Sequence, residues 1–264
     1  MNQDSAKKNT TTAQAAGAPG RPGAKWGQAA TWRDRAEAVD WDAVRAELDR
    51  YGCALTGPLL SPEEAAAIAA LYADDSCFRS TITMSRHRFG EGEYRYFGRP
   101  LPDAVSGLRQ ALYPRLLPIA RDWWAWLGRE APWPDSLQEW LRMCHDAGQT
   151  RPTAILLKYG AGDWNALHRD LYGELVFPLQ VVINLSNPGA DHTGGEFLLY
   201  EQRPRAQSRA TAILIPHGHG LVFTTRDRPV KSARGWSVAP VRHGVSVVRS
   251  GQRYTLGLVF HDAA

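Results

Sequence analysis

Residues 153–189, TAILLKYGAGDWNALHRDLYGELVFPLQVVINLSNPG, set the fold class. Two runs rich in β-branched, aromatic and leucine side chains, 153–159 and 177–185, are separated by glycines and polar residues. Runs this short, bounded by turn formers, read as strands. The same texture continues at 196–200, 212–215, 220–224, 245–248 and 254–260, with Gly, Pro, Asn or Arg breaks and no helical periodicity between. Seven or eight short strands of this kind predict an antiparallel sandwich or jelly roll.

Upstream of residue 150 the pattern is helical. Trp41, Val44, Leu48 and Tyr51 recur at helical spacing and Gly52 stands at the stop position. An extended piece at 53–56 is broken by Gly57-Pro58. Ser61, Pro62 and Glu64 form a capping-box signature for a helix that buries Ile68, Leu71 and Tyr72. Residues 78–84 read as a strand and 86–100 as turn-rich. A helix is expected over 103–127, kinked or broken at Pro114 and Pro118, and a shorter one over 136–147. The expected class is therefore mostly β with N-terminal helices (α+β). Residues 1–30 lack Val, Ile, Leu, Phe and Tyr and are expected to form a disordered tail. Residues 31–150 would be a helical support region with one or two strands and a substrate lid. Residues 151–264 would be the β-core carrying the chemistry, and 31–264 one compact unit.

Composition excludes several classes. Twenty-six aromatic residues in 264 rule out a chain disordered throughout. Cys53, Cys77 and Cys144 are too few and too scattered for a disulfide scaffold or a cysteine-ligated metal, so any metal must use His and carboxylates. No apolar stretch approaches the roughly 18 residues of a membrane helix, and the N-terminus has no secretory apolar segment. The chain reads as soluble and cytoplasmic, with no membrane partner. A net charge of +4 mildly favours anionic partners. There is no GxSxG, Walker A or GxGxxG pattern, and no signal for an oligomeric state.

The chemistry concentrates in two places. In His168-Arg169-Asp170, an extended backbone sends the imidazole and the carboxylate to one side and Arg169 to the other. His243 opens HGVSVVRSGQR, which reads as a hairpin turning at Ser250-Gly251, with Arg253 on its second arm. An odd loop length would put His243 and Arg253 on the same face, an even one on opposite faces. An arginine in an apolar strand needs an anionic partner, and its fork fits a carboxylate. Two histidines and one carboxylate are a ligand set suited to non-haem Fe(II) with open positions.

With Gly194-Gly195-Glu196-Phe197 and the entry segment YGCALTGPLLSPEEAAAIAAL, this order of motifs resembles the 2-oxoglutarate- and Fe(II)-dependent dioxygenases over about residues 50–264. The likeness is nearest to a bacterial branch proposed to act in oxidative demethylation of alkylated DNA. The resemblance implies a double-stranded β-helix (jelly roll, cupin-like). It implies Fe(II) held by His168, Asp170 and His243, and 2-oxoglutarate held by Arg253 and Tyr159, with O2 as the second cosubstrate. It also implies hydroxylation of a substrate C–H bond, with 2-oxoglutarate decarboxylated to succinate and CO2.

Arginines interleave with aromatics at 79–99 and 226–242, a pattern suited to nucleic acid. Candidate substrate residues are Arg86, Tyr96, Trp164 and Tyr172. The alternatives are a prolyl-hydroxylase-like or small-metabolite hydroxylase, and a jelly-roll binding protein without redox chemistry. His217-Gly218-His219 could imitate a cupin metal pair, but no acid follows it, and a structural role is expected.

Overall fold

The computed structural model describes residues 29–170, 172–202, 207–233 and 235–264, so most of the tail 1–30 lies outside the described residues. Helices α1 (Ala29–Glu37) and α2 (Trp41–Tyr51) lead into strand β1 (Cys53–Pro58). Asp40 caps α2 by accepting from the Ala43 amide, and Gly52 ends it in the left-handed region at φ 84°. Its ideal Cβ would lie 2.9 Å from Arg228 Cδ, so only glycine fits there. Helix α3 (Pro62–Ala70) begins with the Ser61–Glu64 capping box, both reciprocal hydrogen bonds being present.

Strands β2 (Phe78–Thr83), β3 (Gly90–Glu91) and β4 (Glu93–Phe97) follow. The turn-rich stretch 86–100 thus contains two strands, and 31–150 contributes four rather than one or two. Helix α4 (Asp103–Trp126) then runs unbroken through Pro114 and Pro118, where the sequence predicts a kink or break. Both prolines face solvent, so the carbonyls they leave unpaired can meet water. Helix α5 (Leu137–Asp146) completes the support region.

The rest is β: β5 (Ile155–Gly160), β6 (Trp164–His168), β7 (Leu179–Asn184), β8 (His192–Gly194), β9 (Phe197–Glu201), β10 (Arg209–Ile213), β11 (His219–Thr224), β12 (Asp227–Ser232), β13 (Gly235–Val245) and β14 (Val248–Val259). A major sheet has the order β1-β11-β7-β14-β5-β4-β2, with β8 joined to β14. A minor sheet has the order β10-β9-β13-β6-β3, with β12 joined to β13. All pairings between these strands are antiparallel, giving a jelly roll with helices against its major sheet.

Strand period decides what each face does. Leu156, Ile183, Leu256 and Leu258 are buried in the same core cluster as α1 and α4, whose Trp32, Leu108, Leu112 and Trp123 they join. Each such side chain contributes about 1.5–3 kcal/mol of burial. The alternate residues Leu157, Tyr159, Val182, Arg253 and Thr255 line the space between the sheets.

The hairpin expected from 243 to 260 does not form. His243 lies in the minor sheet. The chain crosses over at Ser246 and Val247, and Arg253 lies in the major sheet. Residues 245–248 are therefore largely a crossover, not a strand of their own. Gly251, in the left-handed region at φ 75°, sits inside β14 against the Asp191 carbonyl and is not a chain reversal.

Buried His261 gives the fold an acid limit. Its Nδ1 accepts from the Phe177 amide, and among the described residues its Nε2 has no partner. Burial, then the Arg109 charge, pushes its pKa down to about 4. The unfolded chain, titrating near 6.5, binds the proton first, so stability falls as pH drops from about 6.5 to about 4 and is constant above. The loss reaches about 3 kcal/mol at the bottom of that window. Urea midpoints for wild type and His261→Gln should diverge across it; parallel curves would disprove the assignment.

Candidate metal centre

Two cross-strand pairs face each other between the sheets. In the minor sheet His168, at the end of β6, lies opposite His243 in β13. In the major sheet Tyr159 lies opposite Arg253. Asp170 follows β6 by two residues. One ligand atom from each of His168, Asp170 and His243 lies within 4.8 Å of the others. Asp170 Oδ1 is 3.6 Å from His168 Nε2, and Oδ2 is 3.2 Å from His243 Nε2.

Neighbouring groups fix this arrangement. His168 Nδ1 donates to the Ala166 carbonyl at 2.7 Å, which leaves the Nε2 lone pair for the centre. His243 stacks at 5.9 Å on Phe197 and meets the edge of Phe223 at 4.8 Å. Asp170 accepts from Gln180 at 2.8 Å and from Tyr172 at 3.1 Å. Burial alone would raise the Asp170 pKa, but His243, His168 and the Gln180 amide outweigh it and hold the carboxyl well below the usual range. Burial and then the His243 charge lower the His168 pKa. Near neutral pH the site offers a carboxylate and a neutral His168 imidazole, the protonation states a divalent metal needs.

Arg253 is 3% exposed, and its Nη1 has no hydrogen-bond partner among the described residues. An ideal Cβ on Gly195 would lie 2.8 Å from Arg253 Cδ, so the second glycine of GGEF makes room for the guanidinium stem. Tyr159 is buried at 0% exposure, with Arg253 5.6 Å from its ring, and burial pushes its hydroxyl up to about 12. His168, Asp170, His243, Tyr159 and Arg253 border one cavity, whose walls are otherwise mostly apolar. This donor set fits a divalent metal, and the buried, unpartnered Arg253 fits a carboxylate beside it.

The other predicted residues are dispersed. Tyr172 donates to Asp170 and packs edge-on against Tyr96, with Arg79 over the Tyr96 ring. Arg86 and Trp164 are exposed on neighbouring segments, beside exposed Phe89 and Leu167. Most arginines of the two basic stretches are occupied. Arg79 donates to Pro152, Arg95 pairs with Asp75, Arg99 with Asp262 and Arg226 with Asp227. Arg228 is fully buried against Glu201, and Trp236 stacks on Trp126 at 4.3 Å. In the stretch 226–242 Arg226, Arg228 and Trp236 are thus taken up by contacts within the chain, whereas Arg242 stays exposed on β13. His219 donates from Nδ1 to the Thr56 carbonyl, a structural contact. Sequence reading missed Gln180, although a glutamine inside the apolar run LQVVIN was a usable signal.

A family model described as an oxygenase catalysing oxidative methylation of damaged DNA, Oxygenase-NA, matches residues 92–263. Two Mycobacterium tuberculosis proteins are each 73% identical over 168 residues, 64% of this chain and 72% of theirs. They are uncharacterized protein MT2286 of strain CDC 1551 / Oshkosh and uncharacterized protein Rv2227 of strain ATCC 25618 / H37Rv. Among solved structures, a Pseudomonas putida prolyl-4-hydroxylase superposes with a TM-score of 0.50 at 15% identity, covering 82% of this chain and 96% of that one. A Trichoplax adhaerens prolyl hydroxylase, solved with a hypoxia inducible factor peptide fragment, gives 0.51 at 15% identity, covering 89% and 94%. At these identities the superpositions show a shared fold. No helix among the described residues is long and apolar enough to cross a membrane.

Proposed function

The chain belongs to the Oxygenase-NA family, and from that premise we propose that it is an Fe(II)- and 2-oxoglutarate-dependent dioxygenase acting on N-alkylated bases in nucleic acid. The observation that carries this reading is the pairing of His168, Asp170 and His243 with a buried, unpartnered Arg253 in one cavity. In it, His168, Asp170 and His243 hold the metal. Arg253 holds the distal carboxylate of 2-oxoglutarate and Tyr159 borders it. Bound there, Fe(II) and 2-oxoglutarate supply O2 activation, with one oxygen atom going to a substrate C–H bond and the other to succinate as CO2 leaves.

The chain's own residues supply placement. Gln180 and Tyr172 pin both oxygens of Asp170, so the carboxylate cannot swing away from the histidines. Burial and the Asp170 charge keep the Tyr172 hydroxyl protonated as that donor. Phe197 and Phe223 hold the His243 ring and keep water from its flank. Exposed Trp164, Phe89 and Arg86 offer stacking and phosphate contacts for a base turned out of its strand. Hydroxylation of an N-methyl carbon gives a hemiaminal that releases formaldehyde and restores the base.

The test offers the full chain, with Fe(II), ascorbate and 2-oxoglutarate, three substrates: a methylated oligonucleotide, the unmodified oligonucleotide and a proline-rich peptide. Succinate and formaldehyde should form one for one, and only with the methylated strand. Hydroxyproline from the peptide, with no formaldehyde from DNA or RNA, would replace the nucleic-acid reading with the prolyl-hydroxylase one.

A further inference from the structure

We propose that a second cavity, on the outer face of the minor sheet, binds a backbone phosphate of the nucleic-acid strand whose base enters the metal centre. It is lined by Arg169, Tyr200, Gln202, Pro240 and Arg242. This rests on the nucleic-acid reading above and adds where the strand is held.

Strand alternation places it. Arg242 precedes His243 in β13 and lies opposite Tyr200 of β9, whereas His243 lies opposite Leu199. His243 and Leu199 are buried toward the interior, and Arg242 is exposed on the other side. Arg169 sits between His168 and Asp170, both of which border the interior cavity, and Arg169 itself borders the outer one. The two arginines are therefore the covalent neighbours of all three metal-site residues, turned through the sheet.

The cavity offers donors and no anion. Among the described residues neither Arg169 nor Arg242 has a carboxylate within ion-pair distance, and no acid lines the cavity. Elsewhere the chain pairs its arginines freely: Arg35 with Glu64, Arg45 with Asp122, Arg121 with Asp135 and Arg209 with Glu201. Gln202 is oriented by its neighbours. Tyr200 donates to Ser208 at 2.5 Å and Ser208 donates to Gln202 Oε1 at 2.8 Å, and among the described residues the Gln202 Nε2 has no hydrogen-bond partner. Two guanidinium forks and the amide NH2 of Gln202, with no carboxylate lining the cavity, match an anion that presents several oxygens. A phosphodiester suits this donor set, and the cavity is one residue along the chain from each ligand of the His168–Asp170–His243 centre. Contacts of this type fix register and orientation without reading sequence.

Anisotropy of a labelled single-stranded oligonucleotide, titrated with the full-length protein at several KCl concentrations, tests this without turnover. Arg242→Gln should raise Kd roughly tenfold at low salt and lower the salt slope by about 0.7, the value for one phosphate contact on a single strand. Arg169→Gln added to it should lower the slope by about 0.7 again. Gln202→Glu, at an exposed position and with both arginines intact, should weaken binding more than Gln202→Ala, since it puts a negative charge in the cavity. Circular dichroism melts show whether each variant is folded. Folded variants with the wild-type slope and affinity would overturn the subsite and leave the nucleic-acid reading standing. A wild type without salt-dependent binding would overturn both. Polyglutamate binding lost in the double variant, with oligonucleotide binding retained, would assign the cavity to acidic peptide and overturn the phosphate.

Discussion

Asp170→Ala is expected to abolish turnover and to weaken divalent-metal binding by well over 100-fold. The scale follows from position. Removing a group that only orients a metal ligand already costs about 10- to 100-fold in affinity or activity. Asp170 is the one carboxylate of the cluster, and it lies within 3.2 Å of His243 Nε2 and 3.6 Å of His168 Nε2. Without it two imidazoles remain, and the metal's positive charge has no counter-charge among them. Gln180→Ala and Tyr172→Phe each free one Asp170 oxygen and leave the carboxylate in place. They should fall in the 10- to 100-fold range, so the three variants form a graded series. Calorimetric titration of Mn(II) into apo-protein reads it without catalysis. Adding 2-oxoglutarate to the Fe(II) protein under anaerobic conditions should give a weak visible charge-transfer band in wild type and none in Asp170→Ala. Wild-type metal affinity in Asp170→Ala would refute the assignment of the centre.

The sequence carried the local half of this picture and lost the long-range half. Short runs bounded by turn formers gave β5, β7, β9 and β11 because their hydrophobic residues are contiguous. The Ser61 capping box and Gly52 stop were legible because caps are made by residues three or four apart. Strand β6 was obscure, since WNALH carries too little apolar character to announce itself and gains its pairing from β13 and β3. The stretch 226–242 read as an arginine-aromatic pattern suited to nucleic acid because the partner of Arg228 is Glu201, 27 residues back, and that of Trp236 is Trp126, at the end of a distant helix. The same limit explains the false hairpin at 243–260. Ser250-Gly251 is a good turn signal, but Gly251 is used where β14 passes under Asp191, a contact no local window contains. His168 and Asp170 were legible as neighbours. That His243 lies across from His168 while Arg253 lies across from Tyr159, in different sheets, is a property of register.

Arg253→Met is expected to raise KM for 2-oxoglutarate by roughly 30-fold to several thousand-fold, the range for removing one partner of a buried charge pair at 2–5 kcal/mol. It should also leave the apo-protein at least as stable as wild type. The two expectations belong together. In the apo-protein Arg253 is buried with its Nη1 unpartnered, and the nearest opposing groups are the Tyr159 ring and the Glu196 charge. Glu196 is itself bound to Ser246. A charge held this way costs stability, and an unbranched apolar side chain of similar length removes that cost. A merely structural arginine would behave in the opposite sense: its loss would lower Tm, with KM little changed. Gly195→Ala supplies an independent route to the same result. Its new Cβ would meet Arg253 Cδ at 2.8 Å from a left-handed backbone position, pushing the guanidinium stem aside and raising KM with the arginine still present. Arg253→Lys keeps a point charge and loses the fork, so it should fall between wild type and Arg253→Met. Thermal melts of the apo-proteins beside 2-oxoglutarate titrations of the rate separate the two accounts. An unchanged KM in Arg253→Met would remove 2-oxoglutarate from this pocket. A raised KM with an unchanged or higher Tm fits a site whose folding energy was given up to hold a dicarboxylate.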